Sequence, residues 1–367
     1  MPRIGDYRSA LEAQASRAIG VAVRIGSISA RSGSLFPTVE LGNVELLDEQ
    51  GQAALQLDRV VASVSPRSVW NLSFEQLYIE RPQVEIRRDA QGRIHIAGLD
   101  MGTDASGQDA GADWFFAQRE VVVQGGTVRW TDEARNAAAL LLTDVSFVSR
   151  NSGLGHAMRL DATPPVGWGE RMTVRAQFRQ PLLSVRSGNW RRWTGQLYAD
   201  LPYIDATLLG RYIELDARIH EGSGALRLWG DVSDGSLTGG VVDLALTKID
   251  VSLDRALDPL VLRDLTGRLT GKLDDETQAF STERLQFETA EGMRWPGGNL
   301  WLQRTLARGK VVPRGALRAD RLDLGALVMI ADRLPIGEAI RKLIAAYQPS
   351  GLVERIDANW QGPADAS

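Results

Sequence analysis

Residues 77–96 read LYIERPQVEIRRDAQGRIHI, and the spacing of their apolar side chains decides the fold. Leu77 and Ile79, Val84 and Ile86, and Ile94 and Ile96 stand two apart, the period of a strand with one wet and one dry face. Pro82 interrupts the run, and Asp89-Ala90-Gln91-Gly92 marks a turn between strands. The same grammar extends both ways. Upstream lie VAVRIGSISA, NVELLD and AALQLDRVVASV, and downstream REVVVQGGTVRWTDE, ALLLTDVSFVSR and GERMTVRAQFRQ, with Gly, Asn, Asp and Pro between them. Gly125-Gly126 is expected to join two strands. Short polar connections favour hairpins.

Counting such segments predicts about twenty short strands without interleaved helices, which argues against a parallel βαβ sheet. No fixed period of propeller length recurs. The expected architecture is mainly β: an elongated, curled antiparallel sheet with an apolar groove. At ~4.8 Å per strand it would extend on the order of 100 Å. Helical periodicity is confined to two places. Residues 6–19 have Asp6 as cap, Tyr7, Leu11, Ala15 and Ala18 on one face, and Gly20 as stop. Residues 323–346 carry Leu324, Leu327, Val328 and Ala331 on one face and Ile336, Ile340, Leu343 and Ile344 on a second, broken by Pro335. The boundaries predicted are 1–99 for the first helix and the start of the groove, and 100–113 for a Gly/Asp/Ala/Ser linker. Residues 114–322 continue the groove, 323–346 form a helical cap, and 347–367 hold a last strand and polar tail.

The 367 residues exceed the size at which one compact core stops growing, roughly 250–300 residues. An apolar fraction of 44% with 24% charged residues excludes a disordered chain, and a net charge of −4 gives no reason to expect nucleic acid. Arg87-Arg88 and Arg191-Arg192 read as solvated strand faces. There is no cysteine, so disulfides and thiolate metal sites are excluded, which suits an oxidising compartment. No run reaches the ~18 apolar residues of a membrane-spanning helix. Both ends look like cuts in a longer protein.

Chemistry is sparse. His95 lies on the polar parity of its strand, His156 is placed to anchor a backbone carbonyl, and His220 sits near a Gly-rich bend; none is spaced to share a metal with another. No phosphate-binding loop, nucleophile elbow or dinucleotide fingerprint occurs. Asp274-Asp275-Glu276 reads as a solubilising turn, and Asn71-Leu72-Ser73 as a chance match to a glycosylation acceptor. No cofactor or catalytic residue is assigned. The ten tryptophans admit two readings: packing and edge covering, or rings at the rim of an apolar channel with the indole N–H in water.

An apolar stripe along so many strands, with two short helices to cover it, would exceed what soluble monomers expose. A strand of ~17–20 Å is close to one leaflet of hydrocarbon, half of the ~30 Å membrane core. Each methylene held there is worth ~0.8 kcal/mol. The expected lining is Leu77, Ile79, Val84, Ile86, Ile94 and Ile96, then Val121, Val123, Val128 and Trp130. Beyond these come Met172, Val174, Phe178, Leu226, Leu228, Leu285 and Phe287.

The run IERPQVEIRRDAQGRIHIAGL resembles the signature of AsmA-like proteins. DWFFAQREVVVQGGTVRWTDEAR, LTDVSFVSRNSGLGHAMRLDATPP, GQLYADLPYI, FETAEGMRWPGGN and LRADRLDLGALVMIADRLP are similar, in that order, to the YhdP-type branch. The resemblance implies a periplasmic repeating β-groove that moves phospholipid from inner to outer membrane without catalysis. It also implies an inner-membrane anchor through an N-terminal helix outside this chain, and further chain toward the outer membrane. Two other readings stay open: a structural envelope scaffold whose groove is filled by its own side chains, and a polysaccharide-active β-helix enzyme.

Overall fold

The computed structural model describes residues 8–31, 37–48, 51–64, 74–97, 99–100, 110–184, 186–212, 217–274, 276–305 and 313–362. Trp70, the Asn71-Leu72-Ser73 match, Asp6 and Tyr7 lie outside them. The chain is mainly β, with nineteen strands among the described residues. It divides into two compact units. The first comprises Met1–Val166, Arg171–Leu197 and Val232–Ser236, and the second Gly167–Glu170, Tyr198–Asp231 and Leu237–Ser367.

In the first unit, helix α1 (Arg8–Ile19) precedes strands β1 (Val23–Arg31), β2 (Thr38–Leu47), β3 (Ala53–Ser63) and β4 (Gln76–Glu80). The four strands pair antiparallel in chain order. Gly20, at φ 87, ends α1 in a conformation that costs glycine little. The helix also blunts the edge of β1. Val23 N–H donates to Ser16 Oγ and Ile25 N–H to Glu12 Oε1, each at 2.8 Å, so bonds that another chain would seek are made internally.

After β4 come β5 (Gln83–Arg88), β6 (Ile94–Ile96), β7 (Leu99–Asp100), helix α2 (Ala110–Ala117), β8 (Glu120–Asp132), β9 (Ala137–Ser152), β10 (Gly155–Thr163) and β11 (Met172–Arg179). Pairing departs once from the antiparallel expectation. Both β4 and β5 run parallel to β8, Leu77–Glu80 beside Val121–Gln124 and Gln83–Arg88 beside Thr127–Asp132. A parallel pair needs a crossover, and α2 lies in it. Residues 110–113, expected in a linker, are helical; residues 101–109 lie outside the described ones. From β8 to β11 the ladder is antiparallel again.

Gly125-Gly126 does not join two strands. β8 runs through it, and Gly125, at φ 67, forms a bulge where the register to β9 shifts. Asn43, Arg81 and Asp144 take φ between 48 and 50 at neighbouring points of β2, the β4–β5 junction and β9. Left-handed residues of this kind turn a strand's faces over; at Gly125 and Asp144 the β8–β9 register also shifts and recovers, whereas β2 keeps its register through Asn43. These residues run as a line across the ladder.

In the second unit, helix α3 (Ala206–Tyr212) follows β12 (Thr194–Asp205, whose last eight residues belong here). Asp205 Oδ1 accepts from Thr207 N–H at 3.0 Å at its start. Next come β13 (Arg218–Ser233), β14 (Ser236–Ser252), β15 (Leu260–Leu273), β16 (Thr277–Thr289), β17 (Leu300–Thr305), β18 (Arg314–Asp323) and β19 (Leu352–Gln361). From β14 to β19 each pairs antiparallel with the next. The β18–β19 crossover holds helix α4 (Leu324–Ile330), a 3₁₀ turn (Ala331–Arg333) and helix α5 (Glu338–Tyr347). Asp323 caps α4 by accepting from Ala326 N–H at 3.0 Å. The buried residues here are Ala326, Ile330 and the following Ala331; of the expected face Ala331 is buried, while Leu324, Leu327 and Val328 are half-buried. None of α5 is buried.

Candidate functional site: the apolar face

Register decides which side chains share a face. In the first unit one row runs Ile28, Leu41, Val60, Ile79, each opposite the next. It continues Val123, Phe147, Leu160, Val174. This row crosses eight strands, about 34 Å at ~4.8 Å per step, with an apolar side chain at every position. Beside it lies Ala62, Leu77, Val121, Ser149, Met158, Ala176.

Across the bulge line the parity turns over, and the dry face stays dry. Val84 pairs with Val128, and Val128 with Leu142. Ile96, Ile86, Trp130 and Leu140 form the next row. Met172 lies opposite Ala162, and Phe178 opposite His156. Seven residues apart, Val121 and Val128 would face opposite ways in a regular strand; the left-handed bulge at Gly125 brings them to one side. The row after Trp130 ends in charge. Ile94 sits opposite Arg88, and Arg88 opposite Asp132. Asp132 is fully buried and ion-paired to Arg88 at 2.6 Å, while its Oδ1 also accepts from Arg135 N–H at 3.2 Å. Arg88 is thus no solvated surface residue as expected; Arg87, on the other face, pairs with Glu133.

Two parts of this face are buried in different ways. Around Val23, Ile25, Leu57, Leu77 and Val121 the cover is helical: Leu11, Ala15 and Ile19 of α1, and Trp114 and Phe115 of α2. Around Leu142, Val145 and Ala162 the neighbours are Val128, Leu140, Leu160 and Met172. All of these come from β8 to β11. Burial of Val145 to 3% and Ala162 to 0% by residues of the same sheet needs side chains that converge, as on the concave side of a curved sheet.

In the second unit, Val242, Leu269, Thr282, Leu300, Ala319 and Ile356 form one row. Gly240, Gly271, Phe280, Leu302, Leu317 and Ala358 form the next. Leu246, Leu265 and Phe287 lie further along, on β16 beyond left-handed Arg284. Leu285 and Phe287 pack in the cluster that Ala326 and Ile330 of α4 cover, with Trp295 stacked on Phe287 at 5.4 Å. Gly224 lies against Leu246 and Gly240 against Gly230, which carries Leu226 and Leu228 toward the same rows. Phe280 and Leu302, farther from α4 along their strands, are 44% and 37% exposed.

The polar candidates are structural. Asp89 Oδ1 accepts from Gln91 and Arg93 N–H, at 3.0 and 2.8 Å, and Oδ2 from Arg93 Nε at 2.8 Å. His95 Nε2 is 3.1 Å from Oδ2. Burial pushes the Asp89 pKa up, but the hydrogen bonds from His95 and Arg93 outweigh it and hold the carboxyl well below its usual range. His156 holds a side-chain carbonyl, that of Asn151, rather than the backbone carbonyl expected. It is 3% exposed, stacked on Trp193 at 3.9 Å, and its Nδ1 donates to Asn151 Oδ1 at 2.8 Å. Burial lowers its pKa, against an opposing pull from the Gln180 side chain. His220 contacts Ser252 Oγ at 3.2 Å. Asp274 organises its turn by accepting from Glu276 N–H at 2.9 Å. Among the described residues no cluster of three metal-ligating side chains occurs.

The tryptophans follow the packing reading in part. Trp193 and Trp295 are buried, with Nε1 lacking an acceptor rather than turned to water. Trp229 and Trp301 stand on the wet face under the guanidinium groups of Arg268 and Arg318, at 5.8 and 5.0 Å.

No helix among the described residues is long and apolar enough to cross a membrane. Comparison with curated proteins and with solved structures finds no match. The profile of the YhdP protein family matches residues 1–367. By that match over its whole length, the chain belongs to the YhdP family.

Proposed function

We propose that the apolar face holds the acyl chains of phospholipids and that the protein serves passive lipid transfer across the periplasm. Family membership fits an envelope protein of lipid transport. The observation that carries the reading is the face of β8 to β11, where, among the described residues, the apolar neighbours of Leu142, Val145 and Ala162 are Val128, Leu140, Leu160 and Met172, all from the sheet itself. An acyl chain laid along such rows gains ~0.8 kcal/mol per methylene and needs no directed hydrogen bond, in keeping with the absence of a polar constellation. Head groups would remain in water at the strand ends. No catalytic step is invoked, and direction would come from outside this chain.

The test is purification without detergent, followed by mass spectrometry of extracted lipid and titration with a fluorescent fatty acid. Phospholipid should co-purify, and Val128→Asp with Met172→Asp should abolish uptake in a folded protein. Lipid-free protein that takes up no probe would exclude the proposal. A scaffold reading has its own support in α1, α2 and α4, which cover part of each face with the protein's own side chains. It predicts that the same two substitutions unfold the protein.

A further inference from the structure

Between β11 and β12 the chain reads RQPLLSVRSGNWRRW, residues 179–193. In a protein of net charge −4, this stretch carries four arginines and no carboxylate. Leu182 and Leu183 are 84% and 94% exposed. Arg179, Arg186, Trp190, Arg191 and Arg192 are exposed as well. Side chains this apolar gain nothing from standing in water, and hydrogen bonds tie the loop at three points. Gln180 N–H donates to Leu154 O at 2.9 Å, and Ser184 N–H closes a turn on Pro181 O at 3.0 Å. Gly188 N–H donates to Asp113 Oδ1 at 2.7 Å, engaging the carboxylate that α2 brings to the loop. At the far end Trp193 is 2% exposed and stacked on His156. Trp190 carries the Arg191 guanidinium 4.6 Å from its ring centroid.

We propose that this loop docks the protein on an anionic bilayer surface, with Leu182 and Leu183 entering the acyl region and the arginines meeting lipid phosphates. The chemistry is complementary at each depth. Leucines partition into hydrocarbon, tryptophan favours the interface, and clustered arginines are drawn to a negative leaflet. The proposal stands on the loop alone and does not depend on what the apolar face binds.

The test uses the full chain and vesicles of phosphatidylglycerol mixed with phosphatidylcholine, in a flotation assay. Wild type should float with these vesicles and partition at least about tenfold more weakly to phosphatidylcholine alone. The double variant Leu182→Asp/Leu183→Asp should lose about tenfold or more of the binding while keeping its circular dichroism spectrum and its uptake of fluorescent fatty acid. Since the chain has no cysteine, Ser184→Cys gives a single site for an environment-sensitive dye, whose emission should shift to the blue on docking. Wild type that stays with the aqueous fraction, a double variant that floats unchanged, or a dye that remains in water would each overturn the proposal. So would loop-dependent capture of a protein partner by a chain that ignores vesicles.

Discussion

Two stretches of one dry face reach burial by different routes. Under α1 and α2, Leu77 and Val121 are covered by a second layer, and their exposures are 6% and 1%. On the same face, Val128 of β8, beyond the bulge, and Leu160 and Met172 of β10 and β11 lie in neighbouring rows and stay half-buried, packed on their own sheet. Alternation in the sequence is identical in the two places. What differs, among the described residues, is whether a helix lies above, and the proposed role rests on that difference. The sharpest way to break the comparison is to charge one residue in each. Val121→Asp puts an unpaired carboxylate in a closed core and should cost roughly 3–5 kcal/mol in urea unfolding. Val128→Asp leaves the charge a path to water and should cost about 1 kcal/mol or less. Equal losses would mean that the β8–β11 face is as sealed as the β1–β4 face.

The bulge line holds both stretches on one side, so weakening it tests how firmly they are coupled. Gly125 takes φ 67, and a Cβ there would meet Arg81 Cγ at 3.3 Å, the far part of a flexible side chain. Space therefore matters less than backbone conformation. Asn43 and Asp144 hold the equivalent left-handed positions in β2 and β9, and Asn and Asp tolerate that region far better than β-branched residues do. Gly125→Asn should stay within about 0.5 kcal/mol of wild type, whereas Gly125→Val should lose roughly 1–2 kcal/mol. The valine variant should also show faster amide exchange at Thr127 and Val128, where the register beyond the bulge resumes. Similar exchange in the two variants would make the inserted residue a passive irregularity.

Much of this was legible in the sequence, because strand alternation writes the dry face directly. Leu77 with Ile79, and Val84 with Ile86, were readable as pairs from spacing; that the two pairs share a face depends on left-handed Arg81 between them, and cross-strand pairing sets them beside Val121, Val123, Val128 and Trp130. Three features were hidden for physical reasons. Helix α2 is composed of Ala, Gly, Asp and three aromatics. It has little intrinsic helix preference beyond Ala110, Ala112 and Ala117, and many of the sheet residues that Trp114 and Phe115 pack against lie far away in sequence. Gly125-Gly126 has the composition of a hairpin, and only the partner strand shows a bulge instead. Arg88 looked solvated because its counter-charge, Asp132, lies 44 positions away. By contrast α3 left a local mark that spacing overlooked: Asp205 and Thr207 form a capping pair just after a strand.

The smallest effect expected is a pH response in the covered region with no counterpart beside Val128. His156 is enclosed by Phe116, Phe178 and Trp193, and burial lowers its pKa in the folded state. The unfolded chain, with an ordinary histidine pKa near 6.5, then binds the proton first as pH falls. Stability from this residue is complete above about pH 6.5 and declines below it, until the folded form titrates too. For one proton the slope cannot exceed about 1.4 kcal/mol per pH unit. Hydrogen exchange at Phe115 and Phe116 should therefore quicken between pH 7 and 5.5, roughly speaking, after correction for intrinsic rates, while exchange at Leu142 and Val145 keeps its protection. His156→Gln removes the titrating ring, so its α2 amides should lose the pH dependence even if their protection is lower throughout. Wild-type protection in α2 that is flat over this window would show that the imidazole stays neutral in both states or is hydrated when folded. Either result would remove the expected difference in pH response between the helix-covered and the self-packed parts of the face.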